Sequence, residues 1–338
     1  MRHFTPGRLL VAGGALAVVV FALWVLPSND YIFLPDRAHP VGPLVSVQGG
    51  RDPTYHNGGG VFFVDVFVRK ATLLERLFGG LHDGADLYPA SEINPPGTNS
   101  AARNRIDLTD MRLSQQTAAA VALRALGRKV EERPTGARVE DVLGGGPAVG
   151  KLEPDDLITA VAGKRVFSRN DIAAITRAHP AGSGLVFTIR RAGRQLAETI
   201  RTILVPGQPQ QPIVGIDVTP AYDIHLPIKV SIDSGNIGGP SAGLPFALEV
   251  MEKLGRDVVH GHKIAATGEI FLNGEIGPIG GIKQKVIGAR EAGVDAFLVP
   301  AGDNYKDARK YAHGLTILPV QNFQQALHEL ATLPPAKR

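Results

Sequence analysis

An apolar run with helical spacing that contains a proline has only one place to begin. Residues 235–248 read GNIGGPSAGLPFAL, and Leu244, Ala247, Leu248, Met251 and Leu254 recur at the spacing of one helix face. Pro245 lies inside that run and fits only in the first turn, where a missing N–H costs little. The helix therefore starts at or just after Ser241. Its N-terminal N–H groups lack partners and attract developing negative charge. Gly238 and Gly239 add backbone freedom and close approach to a substrate. Taken locally, Ser241 is either an ordinary helix cap or an exposed nucleophile with oxyanion donors beside it.

A nucleophilic serine also needs a base. His225, His260 and His262 lie in the same region, none in a recognisable triad context. The other candidate is in IGPIGGIKQKVIGAREAG, residues 276–293. Gly280-Gly281 turns into a helix on which Ile282, Val286, Ala289, Ala292 and Gly293 share a face. Lys285 falls within that arc and Lys283 points further out. To act as a base, a lysine must drop from a pKa of about 10.4 towards 7–8, roughly 4 kcal/mol of disfavoured charge that burial has to impose. The alternative is a pair of ordinary solvated lysines.

The rest of the chain sets the context. It has 338 residues, 44% hydrophobic and 20% charged, which is room for two or three folded domains. The net charge is +4 with no basic run, so nucleic acid is not an expected partner. With no cysteine, disulfides, thiol catalysis and cysteine-ligated zinc are excluded. Leu9–Leu26 is an uncharged stretch preceded by Arg2 and Arg8, with Trp24 and Tyr31 near its outer end and Asp30 and Asp36 after it. Its length is near the minimum for a bilayer span, and the charge asymmetry favours a cytoplasmic N-terminus with the remainder outside. The competing reading is a cleaved signal peptide. The expectation is an uncleaved anchor over residues 1–28 of a single-pass membrane protein.

Asn29–Pro43 reads as an extended tether, and Val45–Val47 and Val61–Val68 as strands. Ala71–Leu81 reads as a short helix, Asp83–Asn104 as a polar loop, and a helix capped by Thr109 runs to Leu126. A compact module follows over 128–205. Ser168 with Asp171 makes a capping box, and Ala192-Gly193 joins two strands as a hairpin. The phrases Gly146-Pro147-Ala148, Gly150-Lys151-Leu152, Asp155-Asp156-Leu157-Ile158 and Val161-Ala162-Gly163 resemble a bacterial PDZ domain. That resemblance implies capture of extended polypeptide by strand addition, with a loop near Gly127–Val130 as a candidate contact. Gly145–Lys151 also fits G-x4-G-K. Leu152 stands where a phosphate loop needs Ser or Thr, and Glu153-Pro154-Asp155-Asp156 opposes both phosphate and helix, so nucleotide binding is rejected. Val205–Pro212 reads as a linker, and Ile213–Val218 and Ile228–Ile232 as strands of the last domain.

Three blocks then occur in order: Gly238-Gly239-Pro240-Ser241-Ala242-Gly243, Thr267-Gly268-Glu269-Ile270, and Gly274-Glu275-Ile276-Gly277-Pro278-Ile279-Gly280-Gly281-Ile282-Lys283-Gln284-Lys285. Together they resemble the proteolytic domain of Lon-type serine proteases. The resemblance implies Ser241 as nucleophile, Lys285 and not Lys283 as catalytic lysine, and Thr267 as its hydrogen-bond partner. Gly239 and Pro240 would support the serine. The acid that the family often carries just before this block is absent, since Asn236-Ile237-Gly238-Gly239 stands there. The fold expected is α+β: an N-terminal transmembrane helix, a small α/β segment over 29–127, a PDZ-like β-rich domain over 128–205, and a linker with a Lon-protease-like α+β domain over 206–338. The activity expected is ATP-independent endopeptidase cleavage of flexible or misfolded protein by a Ser-Lys dyad, without metal or organic cofactor. The expected partners are protein or peptide substrates and the membrane, and the resemblance allows a homo-oligomer. The competing reading is a PDZ-based scaffold whose Lon-like domain is inactive.

Overall fold

The structure is a computed structural model that describes residues 6–54, 58–93, 100–205 and 208–336. The half that holds Ser241 and Lys285 is built on a five-stranded sheet in the order His39–Pro40, Gly60–Phe63, Lys263–Ala266, Ala296–Pro300, Thr316–Val320. The last four strands run parallel and the first is antiparallel. Parallel strands are covered on both faces and so read as unbroken apolar runs, as Ala296–Pro300 does, every residue of which is buried. Alternate residues feed two cores. Ile264, Ala266 and Leu298 face a cluster with Leu244, Leu248 and Met251 of the helix Gly243–Lys253. Ala265, Phe297 and Val299 face a second cluster with Val286 and Ala289 of the helix Ile282–Glu291. The two helices that carry the candidate dyad thus lie on opposite faces of one sheet.

The segment 29–127 is woven into this core. Gly60–Phe63 is a strand of the catalytic sheet, Val45–Val47 pairs with Val230–Ile232, and the long helix Ser100–Ala125 packs Met111, Ala118, Val121 and Ala122 into the first cluster. That helix begins well before Thr109, so Thr109 is interior and not a cap. The tether expected from Asn29 is instead part of a three-stranded antiparallel sheet, Val66–Thr72, Pro27–Pro35, Asp86–Pro89. The single strand expected over 61–68 breaks at Val64–Asp65 and its two parts enter different sheets.

The transmembrane helix is overturned. The N-terminal helix is Pro6–Val25, and among the described residues no helix is long and apolar enough to cross a membrane. Its uncharged portion from Leu9 is ~26 Å long at 1.5 Å per residue, short of a hydrocarbon core of ~30 Å. The helix stops before Leu26 because Pro27 opens a strand. Arg2, expected to flank the span, lies outside the described residues.

The PDZ-like half is an antiparallel sheet in the order Arg194–Arg201, Gly184–Arg191, Leu157–Val161, Glu131–Val142, Ile216–His225, with one helix, Arg169–Arg177. Ser168 caps that helix by accepting from Asp171 N–H. The Ala192-Gly193 turn has φ of 47° and 77°, the pair of positive angles a two-residue hairpin requires. The strand expected from Ile213 in the last domain is here an outer strand of this sheet, paired with Glu131–Val142. The expected linker is a hairpin of Ile203–Val205 with Gln208–Ile213, whose residues 206 and 207 lie outside the description.

Candidate active site

Thr267 follows the central strand Lys263–Ala266 directly, and it is at this strand end that the two flanking helices bring their side chains together. Lys285 Nζ lies 2.7 Å from Ser241 Oγ and donates to Thr267 Oγ1 at 3.1 Å. The Thr267 hydroxyl donates in turn to the Ser241 carbonyl at 3.2 Å. With its proton so committed, Thr267 presents a lone pair to the amine and fixes where the Lys285 lone pair can point. Lys285 is 4% exposed, and burial lowers its pKa to about 8. The Asp65 carboxylate pulls the other way. Lys283, two residues earlier, reaches outward to Asp86 at 2.8 Å. Between them Gln284 is buried and donates to Gly84 O and Asp86.

Ser241 sits in a short 3₁₀ turn, Pro240–Ala242, that runs into the helix Gly243–Lys253, so Pro245 falls in the first turn as its chemistry demands. The first bond inside that turn is Gly243 N–H to Pro240 C=O, which leaves the N–H groups of Ser241 and Ala242 ahead of it. The long helix braces the loop: Gly239 N–H donates to Asp107 O at 2.8 Å and Ser114 Oγ to Pro240 O at 2.9 Å. Gly268 N–H donates to Ser241 O at 2.8 Å. Gly239 takes φ of 84°, closed to most side chains. Gly238 is required by contact instead, since a Cβ there would come 2.7 Å from Asp107 Cβ.

Five positions were singled out from the sequence. Ser241, Lys285 and Thr267 converge. Gly239 and Pro240 lie in the same loop, where the Gly239 N–H donates to Asp107 O and Pro240 O accepts from Ser114 Oγ. The histidines lie elsewhere. His262 is buried against Pro334 O at 2.8 Å, His260 is in a turn with φ of 49°, and His225 is exposed beside Asp223. Sequence reasoning missed Asp107, Ser114 and Asp65. Ser114 had a signal, since it falls in the helical stripe of Met111, Ala118 and Val121. Asp107 acts through its carbonyl, which no residue type announces.

Gly145–Lys151 forms successive turns with no helix after Lys151, unlike a phosphate loop. A separate groove of about 430 Å³ lies between Ile172, Ala173 and Thr176 of the helix Arg169–Arg177 and residues Ile213–Val218. The loop Gly127–Val130 does not line it.

A family profile described as the Lon protease (S16) C-terminal proteolytic domain matches residues 159–332. Lon protease 2 of Bacillus subtilis is 33% identical over 117 residues, 35% of this chain and 20% of that protein. Lon protease 2 of Herpetosiphon aurantiacus is 29% identical over 216 residues, 60% of this chain and 26% of that protein. The chain thus spans about a fifth to a quarter of the length of these relatives. Among solved structures, the PDZ domain of the SdrC-like protein from Listeria monocytogenes is 20% identical with a TM-score of 0.24, covering 25% of this chain and 90% of that one.

Proposed function

Because the chain belongs to the family of Lon protease (S16) C-terminal proteolytic domains, which are serine peptidases, we propose that Ser241 attacks the scissile carbonyl and that Lys285 is its base. The observation that carries this reading is the 2.7 Å separation of Nζ and Oγ with the amine buried. Neutral Lys285 takes the Ser241 proton as Oγ bonds to the carbonyl carbon. The tetrahedral oxyanion faces the Ser241 and Ala242 N–H groups at the helix start. The resulting ammonium gives its proton to the departing amine, and a water then hydrolyses the acyl-serine with Lys285 again as base. Thr267 holds the amine in line throughout.

A lysine with a pKa of about 8 is roughly one-tenth neutral at pH 7, so the rate rises through pH 8. The substrate is a flexible or misfolded polypeptide, and cleavage needs no ATP, a reading supported by the turns and Leu152 that replace a phosphate loop at Gly145–Leu152. The PDZ-like half serves capture. Strand Ile216–His225 ends its sheet, and its free edge at Ile216–Val218 lies in the groove beside Ile172 and Thr176, an arrangement suited to strand addition by an extended segment. The test is cleavage of casein by the purified chain, with and without ATP. Loss of cleavage in Ser241→Ala with unchanged melting supports the proposal. Cleavage that survives this substitution refutes the nucleophile, and cleavage that requires ATP refutes independence from it.

A further inference from the structure

Two arms of the N-terminal segment meet beside the helix Ile282–Glu291. Strand His39–Pro40 pairs antiparallel with Gly60–Phe63, and His39 stands opposite Phe63. Carried two residues further, that register sets residue 37 across from Asp65, so Asp36 and His39 flank it from the facing arm. A Cβ on Gly288 would collide with Asp36 O and fall 3.1 Å from Val64 Cγ1, so both arms press on the same point of the helix. Asp36 Oδ1 accepts from Arg37 N–H at 2.8 Å, which leaves Oδ2 towards His39. The His39 ring lies against buried Phe63, with centroids 5.5 Å apart.

The three side chains converge without bonding to one another. His39 Nε2 is 3.5 Å from Asp36 Oδ2 and 3.9 Å from Asp65 Oδ1, both longer than a good hydrogen bond. Asp65 Oδ1 is enclosed and has no hydrogen-bond partner among the described residues. The three donor atoms lie within 4.8 Å of one another, and among the described residues no other such group of three His, Asp or Glu comes so close.

An enclosed carboxylate oxygen without a hydrogen bond is costly unless a cation meets it. Around a tetrahedral ion with bonds of about 2.0–2.1 Å, donors stand about 3.4 Å apart. The separations at His39 are too wide for bonds between the side chains and close to what one shared ion sets. We propose that Asp36, His39 and Asp65 bind a zinc ion through Oδ2, Nε2 and Oδ1, with water completing the shell. One imidazole and two carboxylates suit zinc: the nitrogen disfavours magnesium and calcium, and the dication balances both carboxylates. The ion ties the end of strand Pro27–Pro35 to the catalytic sheet where both meet the lysine helix, so its role is to stabilise that junction. It enters no step of peptide cleavage.

The test uses the full chain as Ser241→Ala, dialysed against EDTA and titrated with zinc chloride, with bound metal measured by atomic emission. One zinc per chain is expected, and its binding raises the thermal midpoint. His39→Ala and Asp65→Asn should each weaken binding about tenfold or more and abolish the rise, since even the loss of a ligand's supporting hydrogen bond costs that much. His225→Ala, which removes an exposed imidazole outside the cluster, should change neither. If Asp65→Asn does not fold, Asp36→Asn takes its place, because its amide oxygen can still accept from Arg37 N–H. A chain that takes up no zinc overturns the proposal, as does binding that survives both substitutions. A magnesium response equal to that of zinc and kept in His39→Ala marks a patch of negative charge only, and overturns it too. The readouts are bound metal and melting, so failure of the dyad reading would appear elsewhere, as cleavage retained by Lys285→Met.

Discussion

Asp156 and Glu249 are both fully buried carboxylates, and the two halves of the molecule treat them in opposite ways. In the PDZ-like half, Asp156 accepts from Arg191 Nε at 2.7 Å and Nη2 at 2.6 Å, and from Glu153 N–H at 2.9 Å. In the catalytic half, Glu249 lies in the serine helix with neither oxygen hydrogen-bonded among the described residues. Lys253, one turn on, is engaged by Asp52. Burial pushes Glu249 up to about 7 and Lys285 down to about 8. The same dry surroundings favour the neutral acid and the neutral amine. At Asp156 the PDZ-like half fixes charge by pairing it; at Glu249 and Lys285 the catalytic half suppresses charge by burial, and that suppression is what a lysine base requires.

The sharpest way to break this comparison is at the two lysines of one helix. Lys285→Met, which keeps the volume and removes the amine, should cost about 10³-fold or more in kcat on casein. Lys283→Met, which loses only the outward pair with Asp86, should retain most of the rate. Equal losses would mean that burial does not distinguish the base. The next effect is on stability. Asp156→Asn removes the buried charge that accepts from Arg191, which keeps only the exposed Glu153 as an ion-pair partner, at 2.7 Å, and should destabilise the chain by about 2 kcal/mol, read by urea unfolding at pH 7.

Glu249→Gln should do the reverse. The folded-state pKa of Glu249 is raised from 4.5 to about 7, so the neutral acid's contribution is full below about pH 4.5 and lost as pH rises through 7. The native chain should therefore lose stability across that window, and the glutamine variant should lose less. At pH 8 the variant should be the more stable by about 2–3 kcal/mol, and at pH 4 the two should match. A variant less stable than the native chain at pH 8 would show that Glu249 is paired after all.

What could be read in advance divides along similar lines. Pro245 fixed the start of the serine helix because a proline tolerates so few helical positions, and Ala192-Gly193 fixed a hairpin because its two angles are so rarely accessible. Lys285 was separable from Lys283 by helical phase alone. These are local constraints, carried by the residues that obey them. Asp65, Asp107 and the strand Gly60–Phe63 act through contacts with residues far along the chain, and no local pattern marks such a partner. The strand expected over Ile213–Val218 was placed with the last domain for that reason: its sequence specifies an extended segment but not a neighbour, and the observed strand Ile216–His225 pairs with Glu131–Val142. The apolar stretch from Leu9 misled differently, since its composition suits a span while Pro27 ends its helix too soon.

The smallest effect tests whether the open edge of the PDZ-like sheet has the role its pairing leaves free. Ile172 lies on the helix Arg169–Arg177 facing the groove, and its side chain also packs into the core of that half. Thr176, one turn on, lines the same groove. Ala173→Arg is the cleaner change, because Ala173 lines the groove without belonging to that core. An arginine there would occupy the space of an added strand and should raise KM for casein about tenfold while kcat is unchanged. A short peptide, which the catalytic half can take without capture, should be cut as before. If KM for casein does not move, the groove does not receive substrate, and the difference between a closed catalytic half and an open capturing half loses its functional half. If kcat falls instead, the helix acts on the serine loop, and the two halves are coupled more tightly than the separate treatment of Asp156 and Glu249 implies.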